Sequence, residues 1–357
     1  MMKAWVLHDI GDIRLETIEE PTLAANEVLV EVRAAGICGS DIPRIFQTGA
    51  YSFPIIPGHE FSGVVVKTGA DVDVKWQRER VGIFPLIPCR TCIPCQKRQY
   101  EMCRNYSYLG SRRNGGFAEY VAVPAENLIK LLDNVTFEEA AMMEPMAVAV
   151  HAMRRIAPAA SDTIAICGLG TIGLLLLMFL REMQAVGLGH MGRILAIGNK
   201  EIQKEAVLQI GLPENCYVNS REQDVDKWII EQTDGKGVDV FFECVGRNET
   251  LLQAIHHTAP AGKVMLVGNP YTDITLEKSV YWKILRNQLT VAGTWNSSFT
   301  CEAGDDWNYV LERLSQKRIN PTGLISHSFP LDDMEQGFHI MRNKAEDYIK
   351  IMGIFTG

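Results

Sequence analysis

Three side chains that bind transition metals lie within one short stretch of the chain. Cys38 offers a thiolate, His59 an imidazole, and one carboxylate of the same stretch could complete the set. Zinc accepts sulfur, nitrogen and oxygen ligands, and a catalytic zinc keeps about three protein ligands and one open position. Cys38 or His59 alone would more commonly be a buried thiol or an ordinary loop histidine. Together with the sequence that follows, they predict a catalytic metal site.

A second cluster of cysteines follows downstream with the spacing C-x2-C-x2-C-x7-C. Its members are Cys89, Cys92, Cys95 and Cys103. Short gaps let neighbouring thiolates reach one metal, and four thiolates leave no open position, so the spacing predicts a structural zinc site. An iron–sulfur cluster is the competing interpretation, since it also takes four thiolates. It ranks below zinc because nothing else in the chain indicates electron transfer.

The other cysteines carry no such pattern. They are Cys167, Cys216, Cys244 and Cys301, and they lie among apolar or turn residues. We interpret them as ordinary interior or surface cysteines, because a chain of this kind does not read as a disulfide framework.

Length and charge restrict the class of protein. The 357 residues are 47% hydrophobic, which indicates two domains rather than one core. The formal net charge is −8, so no basic surface is expected for nucleic acid or for an anionic membrane. The expected partner is a small molecule or another protein, and an anionic substrate would need its own cluster of positive charge.

No membrane or export segment is expected. Met1–His8 reads as a first strand rather than as a signal peptide. The longest apolar run, Ile172–Leu180, is interrupted by Gly173 and followed by charged residues, so it is too short to span a bilayer. We therefore expect a cytoplasmic protein.

The metal-binding segments belong to a region of short β-strands. Val28–Arg33 and Phe61–Lys67 are rich in β-branched residues, and Pro, Gly and Asp separate such runs at short intervals. This pattern predicts a small β-rich domain with its chemistry on loops.

The composition then changes to alternating strands and helices. Thr163–Leu180 contains G-x-G-x-x-G at Gly168, Gly170 and Gly173, between an apolar strand and an apolar helix. In that position the glycines allow a tight turn and close approach of a dinucleotide pyrophosphate to the helix N-terminus. Later strands at Val238–Glu243 and Gly262–Gly268 complete the pattern of a doubly wound parallel sheet.

A second glycine pattern, Gly187–Gly192, follows a helix rather than a strand. We interpret it as a loop before the strand Arg193–Ile197, and not as a nucleotide-binding turn.

Taken together, one open and one closed metal site with a dinucleotide fold resemble the zinc-containing medium-chain dehydrogenases, the alcohol and polyol dehydrogenase superfamily. The resemblance covers nearly the whole chain. Cys38–Phe46 and Gly110–Tyr120 are most similar to the branch that acts on sugar-alcohol phosphates. It implies an α/β protein with a GroES-like β-rich catalytic domain, residues 1–151 and 288–357, and a Rossmann domain, residues 152–287.

The resemblance also implies roles at the catalytic metal. Cys38, His59 and Glu144 stand where the family has zinc ligands, and Glu60 is an alternative to Glu144. Ser40 stands where a hydroxyl relays the substrate proton. The alternative for Ser40 is a turn serine that caps a local amide.

Cofactor selectivity depends on the end of the second strand of the Rossmann domain. NAD-binding domains usually carry an acidic residue there for the ribose 2′-OH. This chain has Gly198, Asn199 and Lys200 instead, as NADP-dependent relatives do, and Tyr217 could pack beside the same phosphate. We expect NAD(P) binding with a preference for NADP, unless Lys200 is simply a solvated helix-start lysine. The remaining expected cofactor contacts are Thr171, Ile172, Val245, Val267 and Gly268.

The expected reaction is oxidation of a secondary alcohol on a polyol or sugar-alcohol phosphate. Arg112 and Arg113 could seat a phosphate or form salt bridges to Glu119 or Glu101, with Arg44 as a weaker candidate. Trp295 and Asn296 stand where the family's substrate cleft meets the cofactor. The family implies a homodimer or homotetramer. The alternatives are a neutral polyol or other secondary alcohol as substrate, or a non-catalytic NADPH-binding relative.

Overall fold

The computed structural model describes residues 1–186 and 192–355. It divides into two compact units, Met1–Ala147 with Ser297–Gly357, and Val148–Asn296. Of the second glycine pattern, residues 187–191 lie outside the described residues, so its interpretation stays a prediction. Among the described residues, no helix is long and apolar enough to cross a membrane.

The first unit is built mainly from antiparallel strands. Its strands are β1 Met2–Asp9, β2 Asp12–Ile18, β3 Glu27–Ile37, β4 Glu60–Thr68, β5 Arg80–Ile83, β6 Leu86–Ile87, β7 Ser107–Tyr108, β8 Tyr120–Pro124, β9 Leu128–Lys130, β16 Ile325–Phe329 and β17 Lys350–Ile354. Its helices are α1 Asp41–Phe46, α2 Ile93–Gln96, α3 Phe137–Ala141, α10 Asp306–Ser315 and α11 Met334–Asn343. Helix α4, Met143–Ile156, begins in this unit and ends in the other.

Its main sheet has the order β16-β17-β3-β4-β5-β9, with β8 also paired to β3. Strands β3 and β4 alternate apolar residues toward a core that includes Trp5, Phe117 and Phe338. The rings of Trp5 and Phe338 meet edge to face at 5.6 Å, which is a favoured aromatic geometry. The sheet thus gives β3, β4 and β17 a common, rigid support.

The second unit is a parallel sheet with helices between its strands. The strands are β10 Ile164–Cys167, β11 Ile194–Gly198, β12 Tyr217–Asn219, β13 Val238–Glu243, β14 Thr258–Leu266 and β15 Thr290–Gly293. The helices are α5 Thr171–Val186, α6 Glu201–Gln209, α7 Val225–Gln232, α8 Asn248–His257 and α9 Lys278–Arg286. The order β12-β11-β10-β13-β14-β15 is the doubly wound order 3-2-1-4-5-6, so the predicted Rossmann sheet is present.

Both boundaries differ from the sequence expectation, the first by four residues within α4 and the second by nine residues. We had placed the chain's return to the first domain at residue 288. Strand β15 instead pairs in parallel with β14, from Lys263↔Thr290 to Leu266↔Gly293, and therefore belongs to the Rossmann sheet. The residues of a short strand such as β15 do not indicate which of two sheets the strand joins, and this explains the error.

Candidate active site

The ends of two paired strands meet at the predicted catalytic metal site. Cys38 follows the end of β3, His59 immediately precedes β4, and one ligand atom from each of Cys38, His59 and Glu60 lies within 4.8 Å of the others. The pairing of β3 with β4 places Gly36 opposite Glu60, which explains how residues 21 positions apart share a site. His59 and Glu60 are buried, so water competes little for these donors.

Glu144 lies beside this group rather than in it. It is buried near the start of α4, and Tyr108 donates a hydrogen bond to its Oε1 at 3.2 Å. Burial raises the pKa of Glu144 to about 7, and the negative charge of Glu60 adds to this effect. A nearby cation would lower the pKa of such a buried carboxyl group and so stabilise its anionic form.

Asp41 contacts both Cys38 and His59, and the sequence did not reveal this role. This fully buried carboxylate accepts the Cys38 amide at 3.0 Å and an Arg44 N–H at 2.6 Å. Its Oδ1 also lies 3.3 Å from Nδ1 of His59, although without good hydrogen-bond geometry. Carboxylates beside a ligating imidazole commonly fix its orientation. An aspartate three residues after the cysteine, at the start of a helix, was the available signal.

Lys350 is the second residue that the sequence did not reveal. It is the first residue of β17, 2% exposed, and its ammonium group contacts the Glu60 carboxylate and donates to Ile37 O at 3.1 Å. Although burial opposes it, the charges of Glu60 and Cys38 raise the pKa of Lys350. A Cβ atom at position 36 would collide with both members of this pair, so glycine fits there and a larger residue does not.

The donor set fits a divalent cation of borderline softness. It combines one thiolate, one imidazole and two carboxylates, and these are the ligand types that zinc accepts. Burial lowers the pKa of His59, but the negative charges of Asp41 and Cys38 outweigh it and hold that pKa well above its usual value. The pocket therefore favours positive charge at this position.

Ser40 is placed beside the same group. Its exposed hydroxyl donates to Sγ of Cys38 at 3.3 Å. It occupies the N-cap position of α1, but its side chain makes no capping hydrogen bond. The alternative interpretation of Ser40 as a local cap is therefore not supported by its contacts.

The four clustered cysteines also lie together. The sulfur–sulfur distances are 3.5 Å for Cys92 and Cys95, 3.9 Å for Cys92 and Cys103, and 4.0 Å for Cys89 and Cys95. Four Zn–S bonds of about 2.3 Å at tetrahedral angles separate the sulfurs by about 3.8 Å. These spacings fit a single ion, whereas a cluster of several irons would hold its thiolates farther apart.

The two predicted phosphate-seat arginines have different partners. Arg113 forms an ion pair with the buried carboxylate of Glu27 rather than with Glu119 or Glu101. Arg112 is stacked between tyrosine rings and makes no ion pair within the described ranges. Arg44 is held by Asp41. The structure therefore separates the two arginines, because a salt bridge holds Arg113 and no acid pairs with Arg112 in the described ranges.

The glycine-rich turn of the second unit has the form expected of a pyrophosphate site. Gly168, with φ +96°, follows the last residue of β10, and helix α5 begins at Thr171. A Cβ at Gly173 would collide with the carbonyl oxygen of Gly168, so the helix packs against the turn as closely as backbone allows. Ile172 follows Thr171 in the first turn of the helix.

A second loop reaches the same turn. The Val245 side chain lies where a Cβ at Gly168 would meet it, at 2.6 Å. Glu243, which the sequence analysis overlooked, shapes this loop by accepting the Val245 and Gly246 amides at 2.8 and 2.9 Å. The amides of Val267 and Gly268 donate to the carbonyl of Glu243, at 2.8 and 2.9 Å. These predicted cofactor residues therefore lie together at the carboxyl ends of neighbouring strands.

The end of β11 carries no carboxylate. Gly198 packs against the ring of Tyr217, whose hydroxyl donates to the carbonyl oxygen of Lys200 at 3.2 Å. The backbone N–H of Asn199 donates to Gln203 Oε1 at 2.8 Å. Tyr217 is the first residue of β12.

Charges of both signs surround this strand end. Burial and then the charges of Glu201 and Glu222 raise the pKa of Tyr217, while Lys204 opposes them.

Trp295 and Asn296 close the second unit. The Trp295 side chain is 58% exposed, and Asn296 has φ +53° with a buried Nδ2 that has no partner in the described part of the chain. Their assignment to the substrate site stays a prediction.

Comparison with known proteins agrees with these two units. Residues 24–133 match the alcohol dehydrogenase GroES-like domain, and residues 171–316 match the zinc-binding dehydrogenase domain. The chain is 32% identical over 344 residues to galactitol 1-phosphate 5-dehydrogenase of Escherichia coli K12, covering 96% of this chain and 97% of that protein. The crystal structure of galactitol-1-phosphate dehydrogenase from Escherichia coli superposes with a TM-score of 0.89 at 30% identity, covering 99% and 100% of the two chains.

Two further relatives extend the comparison. L-idonate 5-dehydrogenase of Vitis vinifera is 31% identical over 360 residues, covering 98% of this chain and 94% of that protein. A zinc-binding dehydrogenase of Sinorhizobium meliloti 1021, solved with NADP, superposes with a TM-score of 0.88 at 28% identity over 99% of both chains. With a GroES-like unit, a Rossmann unit and relatives of this similarity, the chain belongs to the zinc-dependent alcohol and polyol dehydrogenases and is an oxidoreductase.

Proposed function

We propose that the protein oxidises a secondary hydroxyl of a polyol or sugar-alcohol phosphate to the ketone, with NAD(P) as hydride acceptor. The observation that carries this proposal is the group of half-buried Cys38 and buried His59 and Glu60, whose donor atoms lie within 4.8 Å of one another. The likeness to galactitol 1-phosphate 5-dehydrogenase over 96% of the chain supports the substrate class.

Within this proposal, the chain's own residues hold and orient the reacting groups. Cys38 and His59 would bind the catalytic zinc, and Asp41 would fix the His59 ring. A bound zinc supplies Lewis-acid polarisation of the substrate oxygen, and the nicotinamide cofactor accepts the hydride. The Ser40 hydroxyl, exposed and beside Cys38, would carry the alcohol proton toward solvent.

Two glutamates compete for the third ligand position, and charge favours Glu144. Glu60 is nearer to Cys38 and His59, but Lys350 already neutralises it. Among the described contacts of Glu144, the one hydrogen bond comes from the uncharged Tyr108, and burial raises the pKa of Glu144 to about 7. Glu144 therefore gains more from a nearby divalent cation than Glu60 does.

The second zinc would sit among Cys89, Cys92, Cys95 and Cys103. Its place is structural, because four thiolates fill a tetrahedral shell. We also propose that NADP is preferred, because Asn199 replaces the acidic residue that would repel a 2′-phosphate.

We further propose a homo-oligomer, either a dimer or a tetramer. Strand β15 is a sheet edge in the described structure, with Val291 39% exposed. Helix α9 exposes Tyr281, Trp282 and Leu285 to solvent. An open edge strand and exposed apolar side chains are features that a second copy covers. Light scattering after size exclusion would show a mass of two or four chains, and a monomer would refute this point.

The experiment that tests the proposed function is a substrate panel. Polyols, polyol phosphates and simple secondary alcohols are incubated with zinc-loaded protein and with NAD or NADP, and reduced cofactor is followed by absorbance. Turnover of a polyol class that is lost on chelation and restored by zinc is the expected result. No turnover of any polyol with either cofactor would refute the proposal.

A further inference from the structure

Arg112 has an unusual environment for a loop arginine. Its guanidinium carbon lies 4.2 Å from the ring centroid of Tyr51 and 4.4 Å from that of Tyr106. Nη1 donates to the carbonyl oxygen of Tyr106 at 3.0 Å. Two aromatic faces and this hydrogen bond fix the plane of the guanidinium, so the cation is ordered before any ligand arrives.

The positive charge of Arg112 is not neutralised by the protein. Within residues 1–186 and 192–355, no carboxylate lies within ion-pair distance of it, its Nε is buried without a partner, and its Nη2 makes no hydrogen bond. Arg113 and Arg44 differ, because Glu27 and Asp41 pair with them. In a chain with a net charge of −8, an ordered cation without an acid marks a place for an external anion.

A row of aromatic rings joins this cation to the candidate metal site. Tyr106 meets Tyr108 edge to face at 6.1 Å, and Tyr108 meets the His59 ring at 5.7 Å. Tyr108 also donates to Glu144. The guanidinium is therefore three ring contacts from a zinc ligand and lies in the same compact unit.

We propose that Arg112 recognises an anionic group at the far end of the substrate, so that the substrate is a polyol with a terminal phosphate or carboxylate rather than a neutral polyol. This inference rests on the proposed function. A guanidinium binds two oxygens of either anion in a planar, bidentate geometry, and the rings of Tyr51 and Tyr106 hold it in place to do so. Binding of the charged end at Arg112 would then determine which hydroxyl of the substrate reaches the candidate zinc site and reacts.

Steady-state kinetics test the proposal with three substrate sets: hexitol 1-phosphates, the matching free hexitols and the matching aldonates. The variants are Arg112→Met and Arg112→Lys, with Arg113→Met as the matched control from the same loop. For wild type, we expect kcat/KM to be highest for one anionic set, and which set it is distinguishes phosphate from carboxylate. Arg112→Met should raise KM for that set by about 10- to 100-fold and leave the neutral hexitols within about twofold.

Selectivity separates recognition from a structural role. A merely structural Arg112 would lower turnover of charged and neutral substrates alike, whereas the proposal predicts a change in their ratio. Arg112→Lys should recover part of the preference, because it keeps the charge without the planar fork. Arg113→Met should leave the ratio unchanged.

Either of two kinetic results would overturn the proposal alone: a wild type that oxidises neutral hexitols at least as well as the charged ones, or an equal loss of selectivity in both methionine variants. Calorimetric titration with hexitol 1-phosphates and aldonates measures binding without turnover. Binding to the wild type that is abolished in Arg112→Met would support the proposal even if no substrate reacts. Absence of binding for both anions would refute it. Failure of every polyol to react would instead refute the proposed function.

Discussion

Lys350 and Glu60 form a buried ion pair behind the two residues that are expected to hold the catalytic zinc. Each side chain is 2% exposed, and the lysine also donates to the carbonyl oxygen of Ile37 at 3.1 Å. The pair joins the first residue of β17 to the first residue of β4, so it ties the C-terminal strand to the metal-binding segment. It also neutralises one of the two acids at the candidate metal site, which would leave the other, Glu144, available to a cation.

Replacing Lys350 with Met should destabilise the metal-free protein. Removal of one member of a buried pair leaves an uncompensated charge and costs about 3–5 kcal/mol of the free energy of unfolding. Zinc should restore part of this loss, because the freed Glu60 can bind it. Urea denaturation with and without zinc measures both effects. Lys344→Met, at an exposed helix end, is the control; a loss no larger than the control's would show that the ion pair contributes little.

The Ser40 hydroxyl should matter for turnover and not for metal binding. Ser40→Ala removes the group that would carry the proton away and should lower kcat by roughly 10²-fold. Ser40→Thr keeps a hydroxyl and should recover most of it. Zinc content by mass spectrometry of the native protein should stay the same in both. Full activity of Ser40→Ala would show that the proton of the substrate alcohol leaves by a route that does not use Ser40.

The cysteine cluster should support stability rather than chemistry. Cys92→Ser removes one of four sulfur ligands, so we expect one zinc per chain instead of two and a thermal midpoint lower by about 10 °C. The exposed Cys301→Ser serves as the control. Because the site is closed, residual folded protein should keep its kcat. Unchanged zinc content and stability would contradict a structural metal at this site.

Cofactor preference should depend on position 199. Asn199→Asp places a carboxylate at the end of β11, where it can bind a ribose 2′-OH and repel a 2′-phosphate. We expect kcat/KM for NADP to fall at least about tenfold, which corresponds to roughly 1.4 kcal/mol, and kcat/KM for NAD to rise. Asn215→Asp adds the same charge at an exposed position of this unit as a control. A wild type that strongly prefers NAD would rule out the proposed NADP preference.

The parts of the site that could be predicted are those whose residue types are unusual at their spacing. Cys38 and His59 combine two metal-binding side chains with turn residues, and the glycines at 168 and 173 stand between a strand and a helix. Such patterns restrict the chemistry before any contact is known.

The parts that could not be predicted depend on long-range contacts. Lys350 lies 290 residues from Glu60, and a lysine in a short strand reads as solvent-exposed. Arg113 pairs with Glu27, 86 residues away, whereas its neighbour Arg112 has no acidic partner among the described residues. Strand β15 was placed in the wrong unit, because the sheet that a strand joins is set by its partners and not by its own residues.

The most direct test of the account is an anomalous difference map at the zinc absorption edge, from a crystal of protein purified without added metal. We predict two peaks per chain, one between Cys38 Sγ and the His59 ring and one among Cys89, Cys92, Cys95 and Cys103. A single peak in the cysteine cluster, with none at Cys38 and His59 even after zinc is added, would contradict the catalytic metal on which the proposed reaction depends.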